Sequence, residues 1–272
     1  MTAKQPRLYL LDVEGSVAPI SLVTEQLFPY ARAHFEPFLR RSIAELEQKG
    51  DAVEPRDFGE GSVFWDLALL RLENRAELDP EAPAILPDAV SELGLRGGPE
   101  SVSMSPVHGI PRILRYIYWL MDRDRKSTAL KSLQGKIWKT GFENGELKGT
   151  LFPDVPDALA RWSQHARVAI YSSGSVEAQQ LLFRYSTFGD LTSKIAGYFD
   201  TRTGAKASSA SYSAIAAAMS VAPAEILFLS DVVRELDAAR DAGCATRIVI
   251  RPGNAPVENV NGHGSLESFA AL

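Results

Sequence analysis

The second half of the chain alternates between short apolar runs and longer amphipathic segments, and this alternation constrains the fold more than any other feature. The apolar runs are predicted strands, at residues 168–171, 198–201, 225–229 and 246–250. The segments beside them have helical periodicity, at residues 156–164, 177–185, 208–219 and 232–242. Strands that alternate with helices in this way form a parallel sheet with helices on both faces. The expected fold class is therefore α/β.

A further strand is predicted close to the N-terminus, where Leu8 begins an apolar run that ends at Leu11. A continuous apolar run is typical of a central strand that is buried on both faces. Asp12 and Glu14 follow this run, and Gly15 behind them permits a sharp turn and a close approach of the backbone to a ligand. These are also ordinary turn residues, so this segment alone does not distinguish a functional site from a solvated turn.

The segment between this first strand and the strand at 168–171 contains mostly predicted helix. Helical periodicity covers residues 19–49, with breaks at Pro29 and Pro37, and returns at residues 63–78 and 110–133, whereas residues 79–110 are loop-prone. A compact domain does not accommodate so long a connection unless the connection has structure of its own. We therefore expect a mainly helical cap over residues 19–147, inserted into a catalytic core formed by residues 1–18 and 148–272.

Composition excludes several classes of function. The 272 residues carry a net charge of −5, with a pI near 5.5, so nothing suggests general attraction to nucleic acid or to anionic lipid. The single cysteine, Cys244, excludes an internal disulfide framework and is expected to be a small buried residue. No metal-ligand spacing connects the histidines, which are His34, His108, His165 and His263.

The sequence also bears on location and assembly. No apolar stretch reaches the ~20 residues that a membrane span needs, and the N-terminus lacks a signal-peptide core. We expect a cytoplasmic protein without membrane or nucleic-acid partners, and nothing in the sequence requires more than a monomer.

Three of the predicted strands end in polar residues, which are Asp12 and Glu14, Ser172 and Ser173, and Asp231. The carboxyl ends of parallel strands lie along one edge, so these side chains are expected to converge there, together with Lys206 from a later loop. Acidic oxygens suit a hard cation such as Mg²⁺, whereas a lysine, hydroxyl groups and backbone amides suit a phosphate. The set indicates phosphoryl transfer. The chain has no P-loop, dinucleotide-binding or nucleophile-elbow motif.

The segment from Asp12 to Ser16 resembles the first motif of the haloacid dehalogenase (HAD) superfamily, which is an aspartate, any residue, an acid, glycine and threonine. A glutamate at the second acid, here Glu14, is characteristic of the enolase-phosphatases of methionine salvage within that superfamily. The similarity to those enzymes continues through residues 27–32, 121–126, 133–138, 145–149, 152–156, 171–176, 197–201, 226–231, 235–239 and 251–254. It covers the whole predicted core and both ends of the predicted cap.

The resemblance implies a HAD-like Rossmannoid parallel sheet with an inserted, mainly helical cap. It makes Asp12 the nucleophile that forms an aspartyl-phosphate. It also implies that Mg²⁺ is held by the carboxylates of Asp12 and Asp231 and by the backbone carbonyl of Glu14. The side chain of Glu14 would be the general acid and base.

Phosphate binding is assigned by the same resemblance to Ser172, Ser173 and Lys206. Outside this context Lys206 would be interpreted as an exposed loop lysine, because lysines are mostly exposed. Glu235 lies one helical turn beyond Asp231 and has two possible roles. It either holds the metal ligands in position without contacting the metal itself or is a charge on the helix surface.

The implied activity is a Mg²⁺-dependent reaction on a small phosphorylated substrate. The enzyme would enolise 2,3-diketo-5-methylthiopentyl-1-phosphate and then hydrolyse the enol to the dephosphorylated acireductone. The alternative is a HAD phosphatase that acts on a different small phosphate ester. A metal-free dehalogenase is disfavoured because Asp231 would repel the Asp12 nucleophile without a cation between them. A binding module without activity is disfavoured because every acid, serine and lysine of the motifs is retained.

Three departures from the family pattern bear on this interpretation. Ser16 and Val17 stand where the family usually has two threonines, and Leu22 stands where an aromatic residue is usual. Residues 50–110 match the family poorly, and they belong to the predicted cap, which selects the substrate. The resemblance therefore defines the catalytic class more closely than the tail of the substrate.

Overall fold

The computed structural model describes residues 5–52, 54–85 and 109–272. The chain forms two compact units, the first of Met1–Phe28 with Gly141–Leu272 and the second of Pro29–Thr140. The boundaries predicted from the sequence lie after residues 18 and 147. No helix among the described residues is long and apolar enough to cross a membrane.

The first unit is built on a sheet of six strands, all of them parallel. The strands are β1 (Leu8–Leu11), β2 (Arg167–Tyr171), β3 (Gly197–Phe199), β4 (Ile226–Ser230), β5 (Ala245–Val249) and β6 (Gly264–Leu266). Their spatial order is β3-β2-β1-β4-β5-β6. The predicted α/β fold with a parallel sheet is confirmed. The sequence does not predict the edge strand β6, because its three residues, Gly-Ser-Leu, give no periodic pattern.

The described residues form α-helices at or near the predicted positions. They are α1 (Phe28–Lys49), α2 (Val63–Ala76), α3 (Ile110–Asp122), α4 (Thr128–Glu143), α5 (Val155–Trp162), α6 (Val176–Arg184), α7 (Ser209–Ala218) and α8 (Val233–Asp241). Helix α1 continues through Pro37 and follows a π-helical segment, Leu22–Leu27. The single helical stretch predicted at 110–133 is wrong, since α3 and α4 are separate helices. Most of the loop-prone stretch, residues 86–108 with His108, lies outside the described residues.

Strand β1 is central, and its alternating side chains divide the core of the first unit into two layers. Leu8 and Leu10 contribute to the layer that contains Tyr212 of α7, whereas Tyr9 and Leu11 contribute to the opposite layer. The ring of Tyr9 stacks on that of Trp162, with centroids 4.2 Å apart. Because both faces of β1 are covered, the strand has no solvent-facing position and its sequence is apolar throughout.

The second unit has a core of its own, formed mainly by α1, α2, α3 and α4. Phe35, Leu39 and Leu133 are among its most completely buried side chains. Asp66 of α2 is also buried there and is paired with Lys136 of α4, with Oδ2 and Nζ 2.5 Å apart. The described residues of this unit lie mainly in these four helices.

The register of the sheet determines which residues meet at its carboxyl edge. Leu11 at the end of β1 is aligned with Ile170 of β2 on one side and with Leu229 of β4 on the other. The three strands therefore end side by side, β1 at Leu11, β2 at Tyr171 and β4 at Ser230. The polar strand ends predicted to converge belong to these neighbouring strands.

Candidate active site

Asp12 lies directly beyond the central strand and is 2% exposed. Its Oδ1 accepts hydrogen bonds from the backbone N–H of Val13 at 2.8 Å and from Nζ of Lys206 at 2.5 Å. Its Oδ2 lies 3.1 Å from the hydroxyl oxygen of Ser230, the last residue of β4. A buried carboxylate is stable only when it is paired and hydrogen-bonded, and the amide of Val13 and the ammonium of Lys206 meet that need.

Lys206 is paired with two acidic side chains at once. Its Nζ is 2.5 Å from Asp12 and 2.7 Å from Glu235, and only 10% of its side chain is exposed. Its backbone carbonyl accepts a hydrogen bond from the hydroxyl of Tyr212 at 2.7 Å, which fixes the loop on α7. Burial opposes the charged form, but Asp12 and Glu235 outweigh burial and raise the pKa of Lys206. Lys206 is thus an ammonium at neutral pH and not an exposed loop lysine.

Glu235 is buried in the first turn of α8 and faces the same cluster. Its Oε2 lies 3.1 Å from the hydroxyl oxygen of Ser230, which is equally distant from Asp12. One hydroxyl proton can serve only one of the two carboxylates at a time. Burial and then the charge of Asp12 raise the pKa of Glu235. The interpretation of Glu235 as a charge on the helix surface is therefore wrong.

Glu14 and Ser172 face each other across the ends of β1 and β2. The hydroxyl of Ser172 donates to Oε2 of Glu14 at 3.2 Å and accepts from the backbone N–H of Gly174 at 3.0 Å. Burial, followed by repulsion from Asp12, raises the pKa of Glu14. A carboxyl group with a raised pKa holds its proton more readily than an ordinary carboxyl group, as a general acid must. Ser173 follows on the exposed side of the strand end.

Asp231 directly follows β4 and lies beside Gly15 in the loop after β1. Burial and then repulsion from Asp12 raise the pKa of Asp231 to about 7. Its Oδ2 accepts from Nδ2 of Asn254 at 3.2 Å, whereas its Oδ1 is buried without a partner among the described residues. Two carboxylates that repel each other, one with an uncompensated oxygen, fit a divalent cation.

A metal at this position would not rely on a dense cluster of side chains. In the described part of the chain, no three His, Cys, Asp or Glu side chains form a metal-binding group. Mg²⁺ differs from metals that use such clusters, because it commonly takes one or two carboxylates and fills the remaining positions with water and phosphate oxygens. Asp12 and Asp231 supply two carboxylates, the number that such a magnesium site uses.

Gly15 is required in the turn that follows Asp12 and Glu14. Its φ angle is +75°, a value that residues with a side chain rarely adopt. A Cβ atom at this position would lie 2.2 Å from Oδ2 of Asp231 and 3.0 Å from Nδ2 of Asn254. The backbone at Gly15 thus lies in close contact with one of the expected metal ligands.

The variant Gly15→Ala is expected to lower the free energy of unfolding by more than backbone strain alone explains. Gly189→Ala is the matched control, because Gly189 has φ +87° and an added Cβ there would meet no other atom within 4 Å. The control should lose about 1–2 kcal/mol through its left-handed backbone. Gly15→Ala should lose about 1–3 kcal/mol more through the clash with Asp231. Urea denaturation of both variants measures the difference, and equal losses would contradict the close contact.

Arg251, to which the sequence assigns no role, also holds the loop after β1 in place. Arg251 lies between the rings of Phe152 and Phe269, with its guanidinium carbon 4.5 Å from each centroid. Its Nε donates to the backbone carbonyl of Ser16 at 3.1 Å, and its Nη1 donates to Oδ2 of Asp154 at 2.9 Å. The buried arginine therefore connects the loop after β1 to the segment after β5.

Ser230 and Asn254 were also without an assigned role. Both are small polar residues at the carboxyl ends of strands, where turn residues are common, and neither has a distinctive spacing from Asp12. Only their position could have pointed to a role in the site, since Ser230 ends β4 and Asn254 follows β5 at the edge where the acids converge.

The parallel sheet, the aspartate beyond its central strand and the lysine paired with that aspartate are features of one class of hydrolase. Residues 7–243 match the model of the haloacid dehalogenase-like hydrolases, and the chain is a hydrolase of this class. Enolase-phosphatase E1 of Synechococcus elongatus is 47% identical to it over 264 residues, which are 97% of this chain and 96% of the relative. The chain belongs to the enolase-phosphatase family, as its motifs predicted.

Two further similarities support this membership. Enolase-phosphatase E1 of Leptospira borgpetersenii is 41% identical over 263 residues, covering 96% of each chain. Among solved structures, the UTR4 protein of Saccharomyces cerevisiae is similar with a TM-score of 0.67 and 32% identity, over 98% of this chain and 100% of that one. The similarity extends along nearly the whole sequence and is not confined to the catalytic motifs.

Proposed function

We propose that this hydrolase is a Mg²⁺-dependent enolase-phosphatase of methionine salvage. Its substrate would be 2,3-diketo-5-methylthiopentyl-1-phosphate, which it would enolise and then dephosphorylate to the acireductone. The observation that carries the proposal is the buried pair of Asp12 and Lys206 at the end of the central strand, with Asp231 beside it. This pair occurs in a chain that is 47% identical to an enolase-phosphatase E1 over nearly its whole length.

The donor set supports the metal requirement. Asp12 and Asp231 would hold Mg²⁺ through their carboxylates, and Glu14 would hold it through its backbone carbonyl. When bound, the ion supplies positive charge that offsets repulsion between the carboxylates and the phosphate oxygens. The orphaned Oδ1 of Asp231 is the feature of this chain that agrees best with such a ligand role.

Phosphate would be bound by the ammonium of Lys206 and by the loop after β2, which contains Ser172 and Ser173. Lys206 retains its charge because two carboxylates raise its pKa. A charged donor that is already held in position stabilises developing negative charge without reorganisation. The phosphate would therefore meet an ordered positive group directly beside the nucleophile.

The proposed hydrolytic step uses Asp12 as the nucleophile and Glu14 as the acid and base. An oxygen of Asp12 attacks phosphorus, a P–O bond forms, and the P–O bond to the substrate breaks as Glu14 donates a proton to the leaving oxygen. Water then attacks the aspartyl-phosphate while Glu14 accepts its proton, which releases phosphate and regenerates Asp12. The raised pKa of Glu14 suits both transfers.

The second unit would be the cap that selects the tail of the substrate, and the catalytic unit would serve any small phosphate ester that the cap admits. Cytoplasmic location, a monomeric state and the absence of nucleic-acid and membrane partners stay predictions from sequence.

The proposal predicts an ordered appearance of two products. With Mg²⁺ and the diketo phosphate, absorbance of the conjugated enol should rise before free phosphate appears, because enolisation precedes hydrolysis. Simultaneous ultraviolet and phosphate readings over one time course test this order. A parallel reaction with excess chelator should release no phosphate.

A panel of other small phosphate esters is the control for the substrate. If phosphate leaves the diketo compound before it is enolised, or if another ester is hydrolysed and the diketo compound is not, the general phosphatase alternative replaces the proposal. Full activity under exhaustive chelation would contradict the mechanism itself.

A further inference from the structure

Asn254 joins the ends of three strands through a single amide group. It lies in the segment after β5, where its Nδ2 donates to the backbone carbonyl of Gly15 at 2.8 Å and to Oδ2 of Asp231 at 3.2 Å. Gly15 belongs to the loop after β1, and Asp231 follows β4. One side chain therefore contacts both the loop after β1 and the carboxylate of Asp231.

The orientation of this amide is determined by its neighbours. A side-chain amide has two N–H donors on nitrogen and an acceptor on oxygen. The carbonyl of Gly15 and the carboxylate of Asp231 are both acceptors, so the nitrogen must face them. An aspartate or a leucine of similar size could not make these two bonds. The position requires a paired donor and not simply a polar side chain.

The consequence for Asp231 is that its two oxygens become unequal. Oδ2 is occupied by Asn254 and lies against the backbone of Gly15, whereas Oδ1 has no partner among the described residues. A partial rotation of the carboxylate about its Cβ–Cγ bond would break this hydrogen bond. The free oxygen is thereby held in one direction.

We propose that Asn254 is a positioning residue for the metal site, which orients Asp231 so that Oδ1 is presented to Mg²⁺ and ties that carboxylate to the loop of Asp12. The inference rests on the proposed function, since it assumes that Asp231 is a ligand. Groups that hold metal ligands in place without touching the metal commonly change metal affinity by about 10- to 100-fold when they are removed. Asn254 acts through Asp231 and takes no part in the proton transfers.

Calorimetric titration with Mg²⁺ alone tests the role. Asn254→Ala should raise the Mg²⁺ dissociation constant by about 10- to 100-fold, because Asp231 is no longer oriented. At saturating Mg²⁺, kcat for phosphate release should stay within a few-fold of wild type. The matched control is Asn259→Ala, an exposed asparagine of the same segment whose side chain accepts from the N–H of Asn261. It should bind Mg²⁺ as wild type does.

A thermal measurement separates positioning from a merely structural role. At one fixed, subsaturating Mg²⁺ concentration, the ion should raise the Tm of wild type more than that of Asn254→Ala, because stabilisation depends on affinity. A structural role would lower the Tm equally with and without Mg²⁺ and leave the dissociation constant unchanged. Asn254→Ser retains one donor and serves as the second variant if the alanine variant does not fold. Its dissociation constant should also rise.

The outcomes distinguish this inference from the proposed function. If wild type binds no Mg²⁺, or releases phosphate without it, the proposed function fails before any variant is considered. If wild type requires Mg²⁺ and a folded Asn254 variant binds it with unchanged affinity, the positioning role alone is overturned.

Discussion

Asp12→Asn is expected to reduce phosphate release by about 10⁴-fold or more while the protein remains folded. Asparagine has nearly the same shape, but its amide is a very poor nucleophile and cannot form the aspartyl-phosphate. Because of this similar shape, the replacement leaves no cavity at a position that is only 2% exposed. Lys206 retains Glu235 as a charged partner in the variant. Steady-state phosphate release measures the loss.

Two controls make this result specific to the nucleophile. Asp241→Asn changes an exposed carboxylate at the end of α8 and should leave turnover unchanged. Circular dichroism and urea denaturation verify that the Asp12 variant is folded. Enolisation does not require the nucleophile, so enol absorbance should accumulate in the variant under Mg²⁺ concentrations that it still binds. Substantial phosphate turnover by folded Asp12→Asn would exclude Asp12 from the proposed role.

The sequence predicted the sheet and the convergence of its polar strand ends well, for a physical reason. Alternation of helix and strand leaves few arrangements other than a parallel sheet, and parallel strands bring their carboxyl ends together whatever their separation in the chain. Asp12 and Asp231 could therefore be expected at one edge even though more than two hundred positions separate them. The family motif then distinguished Lys206 from the many exposed lysines.

What the sequence could not predict depends on side-chain packing. The bonds from Asn254 to Gly15 and Asp231 join residues from three separate segments, and no spacing of small polar residues specifies such a contact. Glu235 shows the same limit, because a glutamate in the first turn of a helix stabilises that end whether it is exposed or buried. Only the packing of α8 against the sheet shows that it faces Lys206.

Lys206→Met is expected to reduce kcat for phosphate release by about 10²–10³-fold, the usual effect of removing one charge-stabilising donor. Methionine has a similar length and no charge, so the phosphate would no longer meet a positive charge beside Asp12. The variant should also be less stable, by about 3–5 kcal/mol, because Asp12 and Glu235 are left buried without their cation. A loss of activity could therefore follow from instability alone unless the two effects are separated.

The double variant Lys206→Met with Glu235→Gln separates them. It removes one negative charge together with the positive one, so part of the lost stability should return, since Asp12 is then the only one of the two partners of Lys206 left as a carboxylate without its cation. Phosphate release should stay low, because the ammonium is still absent. Lys194→Met, which alters an exposed lysine of the same unit, should affect neither quantity. Urea denaturation and phosphate release are measured on all three variants. If turnover recovers together with stability in the double variant, Lys206 stabilises the fold and does not act on the phosphate.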